Sequence, residues 1–435
     1  MDPAQKAGLK FMLANPFSGL FHKPGLGKTR TTLELFEKIP EELPALVLAP
    51  KACVEFVWPT EVQRWTPHRK VIQVIGSPEE REHRLYGEKA DYYVVGYDNL
   101  DWLVEVMIKH RKLPARSLIF DEASKMKTHN SVRFKQAQRI VHNFKRRHLL
   151  TGTPAPNGYL QLWSLTWLLD RGKAFGDNWY AFRARYFHPI DYKAFRWVPF
   201  DRKVIEEKIS HLFHVRETYD LPDLVELIIE CKLGTPDLYH EMRKKGVLTK
   251  QELRTKNAAI KQSKLRQLSN GFYYDAAGVG HRVHTQKFDR LAALMEELED
   301  SPVMILYEFK EDLAVLRKYF PKAVVFSEDK SLKVVSDWNS GKIKILLLQP
   351  QSAGHGLNLQ GASNTMVWVG PPFDLEIYQQ TVGRLHRRGQ KADQVFVYFI
   401  CSVGSIDTYV FEVLRDKDST QDSLMKALRR HEEER

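Results

Sequence analysis

The chain has 435 residues, 43% of them hydrophobic and 28% charged, a balance that fits a soluble globular protein of two or three domains with well-buried cores. Its formal net charge of +12 suits a polyanionic partner, although a basic, unengaged surface would give the same total. Cys53, Cys231 and Cys401 lie far apart without any CxxC or Cys/His cluster, which argues against structural zinc and fits a reducing compartment. No apolar run approaches the ~20 residues of a membrane span, and the opening MDPAQKAGLK has no signal-peptide stretch; a soluble, intracellular protein is expected.

In chain order, short apolar runs alternate with helical patterns. Strands are predicted at Gly19–Phe21, Ala45–Ala49, Tyr92–Gly96, Ser117–Phe120 and His148–Leu150, and again at Val303–Tyr307, Ala323–Phe326, Ile343–Leu348, Thr365–Val369 and Val395–Ile400. Most are rich in β-branched residues and apolar on both faces, as parallel strands covered by helices are. Two such series imply an α/β fold with two parallel-sheet lobes. Between them, from about Asn157 to Lys287, strand-like runs are few. Aromatic helical patterns (Leu160–Leu169, Trp179–Tyr186) and a basic stretch (Lys244–Lys264) read as helical insertions and a connector. The expected domains are 1–156, 157–287 and 288–435. Trp163 and Trp167 lie in an apolar helical pattern and read as core.

Four segments carry chemistry. After the first strand comes His22-Lys23-Pro24-Gly25-Leu26-Gly27-Lys28-Thr29, then an amphipathic helix over Thr31–Ile39. Gly25 and Gly27 let backbone N–H groups close around phosphates at a helix N-terminus. Lys28 would reach the β- and γ-phosphates of ATP and Thr29 would hold Mg²⁺. His22 stands where GxxxxGK[ST] has its first glycine. The run Ser117–Phe120 ends in Asp121-Glu122-Ala123-Ser124. Carboxylates at a strand's C-terminal end sit where α/β sheets place ligands. Asp121 would hold Mg²⁺ and Glu122 would orient and deprotonate the attacking water; a polar cap on the next helix is the plainer alternative. Thr151-Gly152-Thr153-Pro154 ends another strand, where small hydroxyl residues can couple the carboxylates to the other lobe, or simply turn the chain. In the second lobe, Arg384 and Arg387 are three apart, a spacing that puts them on one helical face. Arginines there, facing a γ-phosphate held by the first lobe, would act as arginine fingers.

Taken together these segments resemble the Swi/Snf family of superfamily-two helicase-like ATPases, whose lobes are RecA-like. DEMGLGKT appears as HKPGLGKT, LTGTPxxN as Leu150–Asn157, and LWSLLxFLxP as Leu162-Trp163-Ser164-Leu165 with Leu168-Leu169-Asp170. AGGxGLNL appears as Ser352–Leu359, QxxGRxxRxGQ is matched from Gln380 to Gln390, and Ser405-Ile406-Asp407 is similar to the closing TIDE. Ser124 stands where DEAH has His. The resemblance implies a catalytic group of Glu122, Gln380, Arg384 and Arg387, with Gln5, of Gln5-Lys6-Ala7-Gly8, holding adenine. It also implies DNA, double-stranded or branched, gripped by its phosphates at Lys51, Tyr97, Gly354, Gly356 and Asn358. Glycines after a strand offer backbone N–H groups to phosphate without base specificity, and Arg243–Lys264 could add charge.

The resulting expectation is a DNA-stimulated ATPase of the compact phage or bacterial type that translocates on DNA. Its place would be the cytoplasm of a prokaryotic or phage-infected cell, with the nucleus remaining open. An RNA or single-strand helicase and a DNA-binding scaffold with a decayed site are the competing functions. The first is disfavoured by motifs that match Swi/Snf rather than DEAD-box patterns, the second by the presence of Lys28, Asp121, Glu122, Arg384 and Arg387.

Overall fold

The structure, a computed structural model, describes the chain apart from residues 191–196, 217–220, 249–252, 256–257, 299–300, 327–331, 352–357, 388 and 434–435. The chain divides into two lobes, Met1–Tyr219 with Lys417–Arg435 and Asp220–Ala353 with Leu357–Asp416.

The first lobe is built on β1 (Phe17–His22), β2 (Ala45–Ala49), β3 (Val71–Val74), β4 (Tyr92–Gly96), β5 (Ser117–Asp121), β6 (Arg146–Thr151) and β7 (Phe213–Arg216). Among the described residues these form one seven-stranded sheet in the order β3-β4-β2-β5-β6-β1-β7, and every neighbouring pair is parallel. Side chains alternate between two cores. Leu46 and Leu48 join Phe21, Val95, Phe120 and Leu149 on one face, whereas Ala45, Val47 and Ala49 join Leu20, Phe36, Trp58 and Tyr92 on the other. A strand buried on both faces must be apolar throughout, which is why these runs look continuous in the sequence.

The covering helices are α1 (Pro3–Ala14), α2 (Lys28–Lys38), α3 (Trp58–Trp65), α4 (Leu100–His110), α5 (Val132–Ile140), α6 (Leu162–Asp170), α7 (Trp179–Tyr186) and α8 (Arg202–Ile209). Capping side chains set the starts of α1, α5, α7 and α8. Asp2 and Gln5 form a capping box on α1, and Ser131 accepts from the Phe134 N–H at the head of α5, each such cap stabilising its helix by ~1 kcal/mol. In α6 nearly every side chain is buried, and Trp163, 3% exposed, packs in the core with Trp167 against its edge, as their helical spacing predicts.

The second lobe carries β8 (Asp223–Cys231), β9 (Val303–Leu306), β10 (Val324–Val325), β11 (Ile345–Leu348), β12 (Thr365–Trp368) and β13 (Gln394–Ser402). Among the described residues they make a six-stranded sheet in the order β8-β13-β12-β9-β11-β10, again parallel throughout. Its helices are α9 (Pro236–Lys245), α10 (Ala258–Ser269), α11 (Gln286–Glu297), α12 (Lys310–Tyr319), α13 (Leu332–Asn339), α14 (Leu375–Val382) and the first part of α15 (Ile406–Glu433), whose residues from Lys417 onward belong to the first lobe. Met304, Leu346 and Met366 face one core, and Ile305, Leu347 and Val367 the other. A buried ion pair pins four elements. Lys287 Nζ lies 2.7 Å from Asp407 Oδ2, and the same oxygen accepts from the Ser402 N–H at 2.9 Å and from Ser269 Oγ. Lys287 also donates to Asn270 Oδ1 at 2.8 Å. A buried charge is tolerable only when partnered this fully, and this gives Asp407 of the closing Ser-Ile-Asp element a role in holding the start of α15.

Of the strands in the two large sheets, three fall outside the sequence reading. β3 is short, and β7 and β8 lie in the stretch expected to be helical. β8 is an edge strand that carries Asp223, Glu226 and Glu230 among apolar residues, and none of its residues is fully buried. Among the described residues no helix is long and apolar enough to cross a membrane.

The closest fit in the first sheet is at Gly19, where a Cβ would come within 2.5 Å of a Phe213 ring carbon, and that ring is stacked on Phe21 at 4.0 Å between centroids. Gly19→Ala is therefore expected to destabilise the first lobe by ~1–3 kcal/mol through overpacking. Differential scanning calorimetry reads this directly, and an unchanged transition would mean that β7 is loosely packed.

Candidate nucleotide site and motif residues

The site is assembled at the C-terminal ends of β1, β5 and β6. The parallel register sets Phe21 beside Thr151 and Asp121 beside Leu150, so three loops distant in sequence emerge at one edge. After β1 the chain turns through Gly25 and Gly27, both with positive φ, 86° and 70°, a region open to glycine and costly for other residues. Gly27 caps α2, which begins at Lys28. The first N–H groups of that helix have no partners within it and point with the helix dipole toward any anion placed there. The Lys28 ammonium donates to the His22 carbonyl at 2.8 Å, and Thr29 follows in the first turn. Gly27 has a second reason to be glycine, because a Cβ would fall 2.2 Å from Gln5 Nε2. Gln5 is thereby set against the phosphate loop, 8% exposed, while its Oε1 accepts from the Asp2 N–H at 3.0 Å.

Asp121 ends β5 and is 7% exposed. Its Oδ2 accepts from Trp58 Nε1 at 2.9 Å, and its Oδ1 from the Glu122 N–H at 3.1 Å. Burial pushes its carboxyl up to about 6, with the Trp58 hydrogen bond pulling the other way. A carboxylate that costs this much to ionise gains from a cation beside it. Glu122 takes the left-handed conformation with φ 52°, rare for a side chain that is not Gly, Asn or Asp. Such strain often marks a functional position. Its Oε1 accepts from Ser124 Oγ at 3.2 Å and from Thr151 Oγ1 at 3.3 Å, and Thr151 Oγ1 in turn accepts from the Thr153 N–H at 3.0 Å. Gly152 lies against the phosphate loop, since a Cβ there would meet Pro24 Cδ at 2.9 Å and the His22 carbonyl at 3.2 Å. The Thr-Gly-Thr turn thus touches both the carboxylate and the phosphate loop. Among the described residues no group of three or more His, Cys, Asp or Glu could hold a metal alone. One carboxylate with a Thr hydroxyl suits Mg²⁺, which keeps waters and takes phosphate oxygens as its other ligands.

In the second lobe, α14 ends at Val382 with Gly383 as its cap. Arg384 and Arg387 therefore lie in the turns that follow, and the helical-face spacing expected for them is not realised: glycine ends the helix one residue earlier. Arg384 is 4% exposed, and its carbonyl accepts from the Leu359 N–H at 3.4 Å. Gln380 lies within the helix, its amide donating to Glu376 at 3.3 Å. Asn358 is exposed and its carbonyl accepts from Asn339. Gly354 and Gly356 lie outside the described residues, as do Arg388 and parts of the basic stretch after Arg243.

Residues 4–274 match the model of the SNF2-related domain, and residues 286–389 match that of the helicase conserved C-terminal domain. A phage protein, "Putative protein p41" of Acyrthosiphon pisum secondary endosymbiont phage 1, is 31% identical over 98% of this chain and 98% of its own length. The "ATP-dependent helicase BRM" of Arabidopsis thaliana is 26% identical over 93% of this chain, and the "ISWI chromatin-remodeling complex ATPase CHR11" of the same plant 25% identical over 95%. The chain belongs to the Swi/Snf family of superfamily-two helicase-like ATPases. It spans 21% of the length of BRM and 42% of that of CHR11.

Set beside the Swi/Snf pattern, the structure adds contacts around the site that the motifs do not contain. Tyr97, expected to touch DNA phosphate, has its side chain buried at 4% exposure, and its hydroxyl donates to the Asp121 carbonyl at 2.8 Å. The phenol thus supports the C-terminal end of the carboxylate strand. Lys51 is exposed and pairs with Glu55 one turn on, 3.6 Å away. Ser124, in the place of the family's His, contacts Glu122 with its hydroxyl. Trp58 escaped the sequence reading because its partner is 63 residues away. Its one signal was its place just beyond Pro50-Lys51, where a π-helical turn over Cys53–Val57 leads into α3; such turns gather at functional sites.

Trp58→Phe keeps an aromatic ring in the core but removes the donor to Asp121 Oδ2. ATP turnover is expected to fall about tenfold with little change in ATP affinity or melting temperature, since a hydrogen bond to a charged group contributes ~1.5–3 kcal/mol. Steady-state ATPase kinetics alongside a melting curve test this; wild-type turnover would reduce Trp58 to core packing.

Proposed function

We propose that the chain is an ATP-driven motor that hydrolyses ATP with Mg²⁺ and uses the energy to translocate on, or remodel, double-stranded or branched DNA, with DNA raising the rate of hydrolysis. The observation that carries this reading is the meeting of Lys28, Asp121, Glu122 and Thr151 at one edge of the first sheet. In this reading the N–H groups of α2 and the Lys28 ammonium bind the β- and γ-phosphates, and Gln5 meets the adenine. Thr29 and Asp121 would hold Mg²⁺, which supplies positive charge to the phosphate oxygens when bound. Glu122 accepts a proton from water as the water oxygen bonds to the γ-phosphorus and ADP leaves. Thr151 and Ser124 hold the Glu122 carboxylate by one oxygen, leaving the other to face the water. Thr153 and Gly152 transmit changes at the phosphate loop along the same edge. Arg384, Arg387 and Gln380 are assigned to catalysis on the family motif they match.

DNA as the partner rests on the family and on charge. BRM is named a helicase and CHR11 a chromatin-remodelling ATPase, and the net charge of +12 favours a polyanion. Lys51, Asn358 and the exposed Arg243-Lys244-Lys245 at the end of α9 are the described residues assigned to phosphate.

Lys28→Ala removes the phosphate-binding charge and is expected to abolish ATP turnover without lowering the melting temperature. Glu122→Gln can still accept from Thr151 and Ser124 but cannot take a proton. It should bind ATP as wild type does and hydrolyse it ~10²–10⁴-fold more slowly. Isothermal titration with a non-hydrolysable ATP analogue separates the two, and loss of binding in the Gln variant would make Glu122 structural.

If DNA is the track, duplex or forked DNA should stimulate turnover more than RNA or single strands do. Affinity should fall steeply with salt and vary little with sequence, because the contacts are to phosphate. ATPase assays across these activators at several salt concentrations decide it. Stimulation by RNA alone would move the chain to the other branch of the superfamily.

A further inference from the structure

His22 occupies the first position of the phosphate loop, where the common pattern has glycine, and it is wholly buried. Its ring is not idle. Nε2 lies 2.7 Å from Nδ1 of His214, a residue 1% exposed in the middle of β7. The two strands run parallel with His22 level with Arg216, and the next residue of the loop, Lys23, donates its N–H to the Arg216 carbonyl at 3.4 Å. On its other side the His22 ring is met by Gly8 of α1, where a Cβ would come within 3.0 Å. Phe11 of the same helix packs on the His214 ring at 5.6 Å between centroids. The charged groups facing the pair are Lys28 and Arg216, both cationic. Burial first, then this positive surround, holds the His22 imidazole well below its usual range, and burial with Arg216 takes His214 down to about 3. Both rings are neutral at physiological pH, so one donates its single N–H and the other accepts.

The geometry has a consequence for Lys28. Its ammonium is held by the carbonyl of His22, the residue whose side chain His214 grips. β7 is also the last strand of the first lobe before the chain passes to the second. We propose that His214 is a positioning residue for the phosphate loop, anchoring His22, and through the His22 carbonyl Lys28, to the strand that leads out of the lobe. The proposal rests on the ATPase reading above and adds to it a residue that no motif contains. His214 touches no nucleotide; it acts through His22. Without it a buried imidazole nitrogen loses its partner and the base of the loop loses a fixed point, so ATP affinity suffers before the chemical step does.

Two substitutions separate the hydrogen bond from the ring. His214→Phe keeps a ring for Phe11 to pack on and removes the polar atom. His214→Asn loses the ring and keeps a polar atom where Nδ1 stood. The expected result is a KM for ATP raised about tenfold in His214→Phe, the factor to which ~1.4 kcal/mol of lost hydrogen bonding corresponds, with kcat at saturating ATP within about threefold of wild type. His214→Asn should return KM to within about threefold. Equal KM shifts in both variants, or none in either, would overturn the proposal, because a purely structural ring responds to the loss of packing and not to the loss of one nitrogen. Should His214→Phe fail to fold, His22→Gln against His22→Leu reads the same bond from its other end, with the same contrast expected. Calorimetric Kd values for a non-hydrolysable ATP analogue are measured alongside. If the wild-type chain does not hydrolyse ATP, the ATPase reading fails, and the Kd contrast still decides the role of His214.

Discussion

Strand β1 lies between β6 and β7, and the parallel pairing on both of its sides is the constraint from which the site follows. Parallel strands all end at the same edge of a sheet, so whatever follows each strand is delivered to one place irrespective of its distance in sequence. Here the phosphate loop after β1, the Asp-Glu pair after β5 and the Thr-Gly-Thr turn after β6 arrive together. No disulfide or metal is needed to hold them, because ladder hydrogen bonds and two apolar cores fix the strand ends. The tolerances are tight where backbones approach. Gly19 admits the Phe213 ring, Gly27 admits the Gln5 amide, and Gly152 admits the turn at Pro24.

The same edge shows where stability has been given up. Asp121 is buried with its charge partly compensated by Trp58 and the Glu122 N–H. Glu122 sits in a left-handed conformation, φ 52°, that costs ~1–3 kcal/mol. Neither of these choices helps the fold. The second lobe handles buried charge in the opposite way: Lys287 and Asp407 are saturated with mutual and neighbouring hydrogen bonds. That pair therefore reads as architecture, whereas Asp121, the proposed Mg²⁺ ligand, accepts only from Trp58 and the Glu122 N–H among the bonds described.

Most of the fold was legible because buried parallel strands leave continuous apolar runs. β2 and β4 begin and end where the sequence places them, and the others differ by a residue or two at their ends. β7 and β8 were not legible, since Phe213–Arg216 carries a His and an Arg and Asp223–Cys231 is an edge strand with charges along it. Their strand character comes from pairing with β1 and β13, not from their own composition. In the site, the phosphate loop, the carboxylate pair and the contact from Thr151 to Glu122 follow from motif order, because a motif records what lies near in sequence. The helical spacing of Arg384 and Arg387 failed at Gly383, which ends α14 before either residue. Trp58, Tyr97 and His214 show the other limit. Each supports the site from a distant strand or helix, and long-range contacts of single side chains leave no periodic trace.

The His22 substitution also bears on why the loop tolerates a departure from its pattern. In the family's own sequence an acidic residue stands here. In this chain that position is enclosed by α1, β7 and the loop itself, and a carboxylate there would be desolvated and would add negative charge close to the proposed phosphate site. A neutral imidazole avoids both costs but introduces two ring nitrogens into a dry interior, and a buried nitrogen without a partner costs ~1–3 kcal/mol. His214 satisfies one of them across the strand pair. The two histidines are thus a matched set: each is reasonable in its buried place because the other is there. A change at position 22 that ignores position 214 leaves an imidazole facing a side chain it cannot bond, next to the residue whose carbonyl holds Lys28, the lysine proposed to bind phosphate.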